Sequence, residues 1–251
     1  MASPSRTSRS RGYLAILALG AAIVVTAVGQ HRLSARLGAL EDQLSELLAT
    51  RGSSSAATVR TRLPDRPVSL VDAAIEGDAN AAVAILEYTD FHCPYCRRFA
   101  DDTLPDIKRR YLTTRRVLFA LKHLPLDGLH PLAQRASEAA ACAGRQHRFW
   151  EMHDWLFANP GVVDEGSLTR QAETLGLEAR RFGACLVTRE TEPRIRAHAA
   201  EARAFGITWT PTFLLGEIRD GALRVTQRIS GAQPFAVFAQ ALDELLEQAP
   251  R

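Results

Sequence analysis

Two cysteines separated by two residues, Cys93-Pro94-Tyr95-Cys96, end an apolar, strand-like run and open a helix-like one. The spacing lets the thiols close into a disulfide without backbone movement, and the position at a helix start matters even more. A helix N-terminus offers unpaired amide hydrogens and the positive end of the backbone dipole, both of which favour thiolate over thiol. Cys93, on the cap side and the more exposed of the two, is therefore expected to ionise near neutral pH and attack. Cys96, one turn in, is the expected resolving thiol that releases a mixed disulfide. Pro94 takes the first-turn position that suits proline, while His92 and Tyr95 flank the pair where they can tune the thiolate. Two blander uses compete with this one. A Cys-x-x-Cys pair can be half of a zinc site, but such sites take a second Cys or His pair at similar spacing, and Cys142 and Cys185 stand alone. A purely structural disulfide at this spacing is strained and reducible. His130, His147 and His153 have no ligand-like spacing, so neither a metal site nor a cofactor is read here.

Glu87 is an acid inside an apolar strand pattern, and such a charge is not buried without a reason. Pointing beneath the dithiol, it would exchange the proton that Cys96 must lose or gain; at a strand end, it would simply reach solvent. Thr210-Pro211 precedes a strand, where a proline is tolerated because its missing N–H lies outside the ladder. From the residues alone its peptide bond takes the trans default. Cys142 and Cys185 lie in helix-like segments. They read either as a disulfide clipping two helices together in an oxidising compartment or as small core residues.

The elements that position these groups read as an α/β domain beginning at Val68. Ala82 to Tyr88 is a buried strand, the pattern from Pro94 to Tyr111 is helical, and Val117 to Leu121 is a second strand. A long helical stretch follows, with breaks near Asn159-Pro160-Gly161 and Gly176; it is too long for a simple crossover and reads as an inserted subdomain, about 126–205. Thr212 to Leu215 and Leu223 to Ile229 supply two more strands around an Asp220-Gly221 turn, and Phe235 to Glu247 closes the chain as an amphipathic helix.

The first part of the chain differs in character. The formal charge of +3 arises from 31 basic and 28 acidic residues among 251. No acid precedes Glu41, whereas Arg6, Arg9, Arg11, Arg32 and Arg36 all do. The remainder is near neutral, without the clustered basic stripe that nucleic-acid binding needs. After the basic tail 1–11, residues 12–30 are uncharged and apolar; at ~1.5 Å of rise per residue they almost span a hydrocarbon core of ~30 Å. The preceding arginines favour a cytoplasmic N-terminus with the rest of the chain across the membrane. Two readings remain: a transmembrane signal anchor, or a signal peptide cut after Ala27-Val28-Gly29. Either places the main domain in an oxidising, extracytoplasmic compartment, tethered to the inner membrane or released to the periplasm. Leu33, Leu37, Leu40, Leu44 and Leu47 form a short leucine seam within 31–49, suited to a homodimer through 33–48 or to an amphipathic helix resting on a surface. Residues 50–67 read as a linker.

Ala74-Ile75-Glu76-Gly77-Asp78-Ala79-Asn80, Ile85 through Cys96, Leu124-Pro125-Leu126 with His130-Pro131, Phe149-Trp150-Glu151-Met152-His153 and Gly206 through Phe213 together resemble the DsbA-like thioredoxin family of exported disulfide oxidoreductases, in the family's order from about Ser69 to Leu246. The resemblance implies a thioredoxin-like fold with a helical insertion after the second strand. It further implies that Pro211 is a cis-proline, that Thr210 presents its backbone to a bound substrate strand beside the dithiol, and that Glu87 is the family's buried acid. Expected partners are cysteine-containing exported proteins and a membrane redox partner. One departure matters: the family's best-known oxidases carry Pro-His where this chain has Pro94-Tyr95, a dipeptide also found in glutaredoxins. Disulfide formation is thus the first reading, with a reductase or isomerase kept reduced across the membrane, or a non-enzymatic thiol metal carrier, as alternatives.

Overall fold

A computed structural model describes residues 66–249 of the chain. The basic tail, the apolar run, the leucine seam and all but the last two linker residues lie outside the described residues. Six strands, β1 (Val68–Ser69), β2 (Ala74–Gly77), β3 (Val83–Thr89), β4 (Val117–His123), β5 (Thr212–Arg219) and β6 (Ala222–Ser230), form one sheet in the order β1-β6-β5-β3-β4-β2. Only β3 and β4 are parallel; the other pairings are antiparallel. Helices α1 (Pro94–Asp102) and α2 (Leu104–Arg110) connect β3 to β4. Five helices, α3 (Ala133–Gly144), α4 (Phe149–Ala158), α5 (Glu165–Thr174), α6 (Ala179–Val187) and α7 (Glu192–Ala204), separate β4 from β5, and α8 (Phe235–Gln248) ends the described chain. The result is a mixed α/β, thioredoxin-like fold with a helical insertion.

Every residue of β3 and β4 is buried, because both strands have sheet neighbours on each side and helices on each face; their sequences therefore read as unbroken apolar runs rather than alternations. The period-two geometry of a strand still sorts β3 by face. Val83 and Ile85 join one core with Phe99, Phe119, Phe213 and Phe238, whereas Ala84, Leu86 and Tyr88 join another with Ala199, Phe205 and Leu214. Phe99 anchors the first core: its ring centroid lies 4.4 Å from that of Phe213 and 5.3 Å from that of Phe238. The second core includes a buried ammonium. Lys122 donates to Ser69 O at 2.7 Å and to Glu201 Oε1, which also accepts from the Tyr88 hydroxyl, so the charge is paired rather than stranded. At Gly216, beside a bulge in β5, a Cβ would meet Arg224 O at 1.9 Å; the close approach of β6 excludes any side chain there.

Two features differ from the sequence expectation. The helix expected from Pro94 to Tyr111 breaks at Thr103, whose hydroxyl donates to Gln233 O, and restarts with Pro105 in its first turn. The edge strand β2 escaped notice because its burial alternates over only four residues. Cys142 of α3 and Cys185 of α6 are joined by a disulfide with a Cα–Cα distance of 5.9 Å, clipping two helices of the insertion together.

Candidate active site

Cys93 and Cys96 are the only free cysteines among the described residues, and both are buried. The β3 run ends at Thr89, and Asp90, Phe91 and His92 turn the chain into α1. Cys93 is the N-cap, with extended backbone (φ −76°, ψ 120°), and Pro94 sits in the first turn. Cys93 therefore stands at the positive end of the α1 dipole. The Cys93 pKa falls to about 6: the neighbouring Cys96 thiol lowers it most, burial opposes ionisation, and Thr210 and the backbone of Cys96 and Tyr95 at the helix start lower it further. Cys96 moves the other way. Burial first, then its bond to Cys93 and the charge of Glu87, push its thiol well above the usual range. One sulfur is thus prepared to attack and the other to remain protonated until a mixed disulfide needs resolving.

Glu87 shares the parity of Val83 and Ile85, so its side chain belongs to the face of β3 that α1 covers. It is 1% exposed, which removes the alternative of a strand-end acid reaching solvent. Burial raises its pKa to about 8; the nearby Thr89 hydroxyl opposes the rise slightly and the Cys93 charge adds to it. Glu87 Oε1 and Thr89 Oγ1 nevertheless have no partner at hydrogen-bonding distance among the described residues. The arrangement gives Cys96 a neighbouring carboxyl whose neutral form can supply a proton and whose ionised form can accept one, the two exchanging near pH 8.

On the opposite side of the dithiol, the Thr210-Pro211 bond is cis. The Cys93 thiol donates to the Thr210 carbonyl at 3.4 Å, so the residue before the proline touches the nucleophile. Tyr95 and Trp209 are 56% and 68% exposed, and the Arg98 guanidinium lies over the Tyr95 ring. His92 is half-buried; burial lowers its pKa against the opposing pull of Asp90. The sequence reading gave no role to Asp90, which is fully buried between the active-site turn and the segment after β4. Cys142 and Cys185 lie apart from the dithiol in the insertion. Among the described residues, no group of three or more His, Cys, Asp or Glu side chains could hold a metal ion.

A family profile described as Thioredoxin matches residues 70–227, more than half of the chain. The chain belongs to the thioredoxin family. Solved structures similar to this thioredoxin-family chain include alpha-DsbA1 of Wolbachia pipientis (23% identity, TM-score 0.62, covering 72% of this chain and 94% of that one) and BdbD of Bacillus subtilis (18% identity, TM-score 0.64, 74% and 98%). DsbA2 of Pseudomonas aeruginosa is 26% identical with a TM-score of 0.57, covering 72% of this chain and 94% of that one. Its structural neighbours are thus DsbA-type oxidoreductases. Among curated proteins, this thioredoxin-family chain is 35% identical over 167 residues to the Na(+)/H(+) antiporter NhaA 3 of Salinispora tropica, covering 66% of this chain. It is 37% identical over 141 residues to NhaA 1 of Salinispora arenicola, covering 56% of this chain. It spans only 25% and 21% of the length of those antiporters. With a depressed Cys93, a Cys96 thiol held protonated and the Thr210 backbone beside them, this member of the thioredoxin family has the groups that thiol–disulfide exchange requires.

Proposed function

We propose that the protein catalyses disulfide formation in exported proteins while held at the outer face of the inner membrane by residues 12–30, or in the periplasm if that segment is cleaved. The observation that carries the reading is the placement of Cys93 at the N-cap of α1 and 3.4 Å from the Thr210 carbonyl, where its pKa is lowered to about 6. Stabilising the thiolate stabilises the reduced enzyme, so the oxidised Cys93–Cys96 bond transfers more readily to a client dithiol. The disulfide between Cys142 and Cys185 supports the same compartment, since such bonds persist outside the reducing cytosol. A client strand would pair with the Thr210 backbone, a contact tolerant of client sequence. Reoxidation would fall to a membrane redox partner, and residues 33–48 are the proposed homodimer contact. Antiport is not carried over, because the chain matches only a quarter of those relatives.

A specific observation favours a second reading. Pro94-Tyr95 stands between the cysteines where the family's best-known oxidases carry Pro-His. A reductase or isomerase kept reduced across the membrane would have such a pair. Incubating the oxidised full chain with reduced, unfolded ribonuclease separates the two: the oxidase reading expects ribonuclease activity to return at a rate proportional to enzyme, and the reductase reading expects no gain over background.

A further inference from the structure

Asp90 is 0% exposed, yet neither oxygen of its carboxyl group is idle. Oδ1 accepts from His92 N at 2.7 Å, two residues ahead, and the Asp90 carbonyl accepts from Cys93 N at 3.1 Å. These two bonds form an Asx-type turn that delivers the chain into α1. Oδ2 accepts from Leu126 N at 2.8 Å and pairs with His130 Nδ1 at 2.9 Å. One step earlier, Thr89 O accepts from Leu124 N at 2.8 Å, so the segment after β4 is laced to the active-site turn at successive residues. A buried carboxyl with three donors is far more firmly held than the turn would be alone, because a buried polar atom left unpaired carries its full desolvation penalty.

We propose that Asp90 is a positioning residue for the nucleophile: by tying the His92–Cys93 turn to Leu126 and His130, it holds Cys93 at the N-terminus of α1, where the helix start favours its thiolate. Asp90 makes no contact with that sulfur. Its effect passes through the turn, which distinguishes it from Glu87, whose carboxyl acts on Cys96 without an intervening element. The proposal rests on the reading of Cys93 as the nucleophile and not on the direction of electron flow.

The test is the pH dependence of Cys93 alkylation by iodoacetamide in the reduced full chain, with the modified site located by mass spectrometry, alongside circular dichroism to confirm folding. Asparagine at position 90 has one acceptor oxygen and an NH2 that must confront a donor, so Asp90→Asn breaks one side of the clamp. The Cys93 midpoint is expected to rise by about one pH unit, an approximately tenfold loss of thiolate well below the midpoint. A folded Asp90→Asn protein with an unchanged midpoint overturns the proposal. Should that variant not fold, His130 decides. His130→Ala removes one of the three donors and is expected to raise the midpoint, while His130→Asn, whose amide nitrogen replaces Nδ1, restores it. An unchanged midpoint in His130→Ala, or equal rises in both His130 variants, which would indicate lost imidazole charge rather than lost position, overturns it equally. A wild-type chain whose Cys93 shows no depressed midpoint would instead contradict the nucleophile assignment, leaving the two failures distinguishable.

Discussion

The Cys93 sulfur lies 3.4 Å from the carbonyl oxygen of Thr210 although 117 residues separate them. The sheet brings them together: β3 pairs with β5 so that Tyr88 faces Thr212 and Glu87 faces Phe213, and the chain leaves β3 towards α1 where it enters β5 from the cis-proline. Under the proposed function, a client sulfur joined to Cys93 would lie against the Thr210 backbone. Cys93→Ala is expected to reduce thiol–disulfide exchange to background. Cys96→Ala should instead accumulate a covalent mixed disulfide with client, visible on non-reducing gels. Accumulation in the Cys93 variant instead would reverse the two roles.

Glu87 gives the oxidised protein a characteristic stability profile. Its folded pKa of about 8 exceeds the ordinary 4.5, so the folded state holds the proton more tightly than the unfolded state. Between pH 4.5 and 8 the folded chain binds more protons, and stability falls as pH rises, by up to about 1.4 kcal/mol per unit and on the order of a few kcal/mol across the window. Glu87→Gln is expected to flatten that slope in urea denaturation of the oxidised form, and parallel slopes would show that Glu87 is charged at neutral pH. The same variant should slow resolution of the mixed disulfide by Cys96.

Cys93 acts with the opposite sign, and only when reduced. Its folded pKa of about 6 lies below the ordinary 9. The stability it contributes is fully present above about 9 and is lost as pH falls through 6. Melting curves of reduced and oxidised protein at pH 5 and 8 should therefore show the reduced form gaining on the oxidised one as pH rises, by less than ~1.4 kcal/mol per unit once solvent screening is allowed for. A gap independent of pH would mean an unperturbed thiol.

The Cys142–Cys185 bond closes a loop with a sequence separation of 43, which chain entropy makes worth about 4 kcal/mol. Replacing both cysteines by alanine is expected to lower the melting temperature while leaving the Cys93 alkylation midpoint unchanged. A shifted midpoint would show that the insertion communicates with the dithiol.

Much of this site lay open in the sequence because its parts are local. Cys93-Pro94-Tyr95-Cys96 carries its own helix start, and the unbroken apolar run from Ala82 to Tyr88 marks a strand buried on both faces. Glu87 stood out as the one acid in that run. Asp90 did not, because its partners Leu126 and His130 reach it only through the β3–β4 register, a non-local pairing that no spacing announces. The helix break at Thr103 was legible in principle, since Pro105 belongs in a first turn, but the continuing apolar period from Phe99 to Ile107 masked it. The β2 strand left too short an alternation to read, and its place comes from pairing with β4.

The most direct test of the central claim is the equilibrium reduction potential of Cys93/Cys96 in the full chain, measured against glutathione buffers with the state of Cys142 and Cys185 followed separately by alkylation. A value well above thioredoxin's ~−270 mV, in the direction of ~−120 mV, is what a disulfide donor requires. A value at or below thioredoxin's would contradict the donor role and assign the same dithiol to reduction or isomerisation.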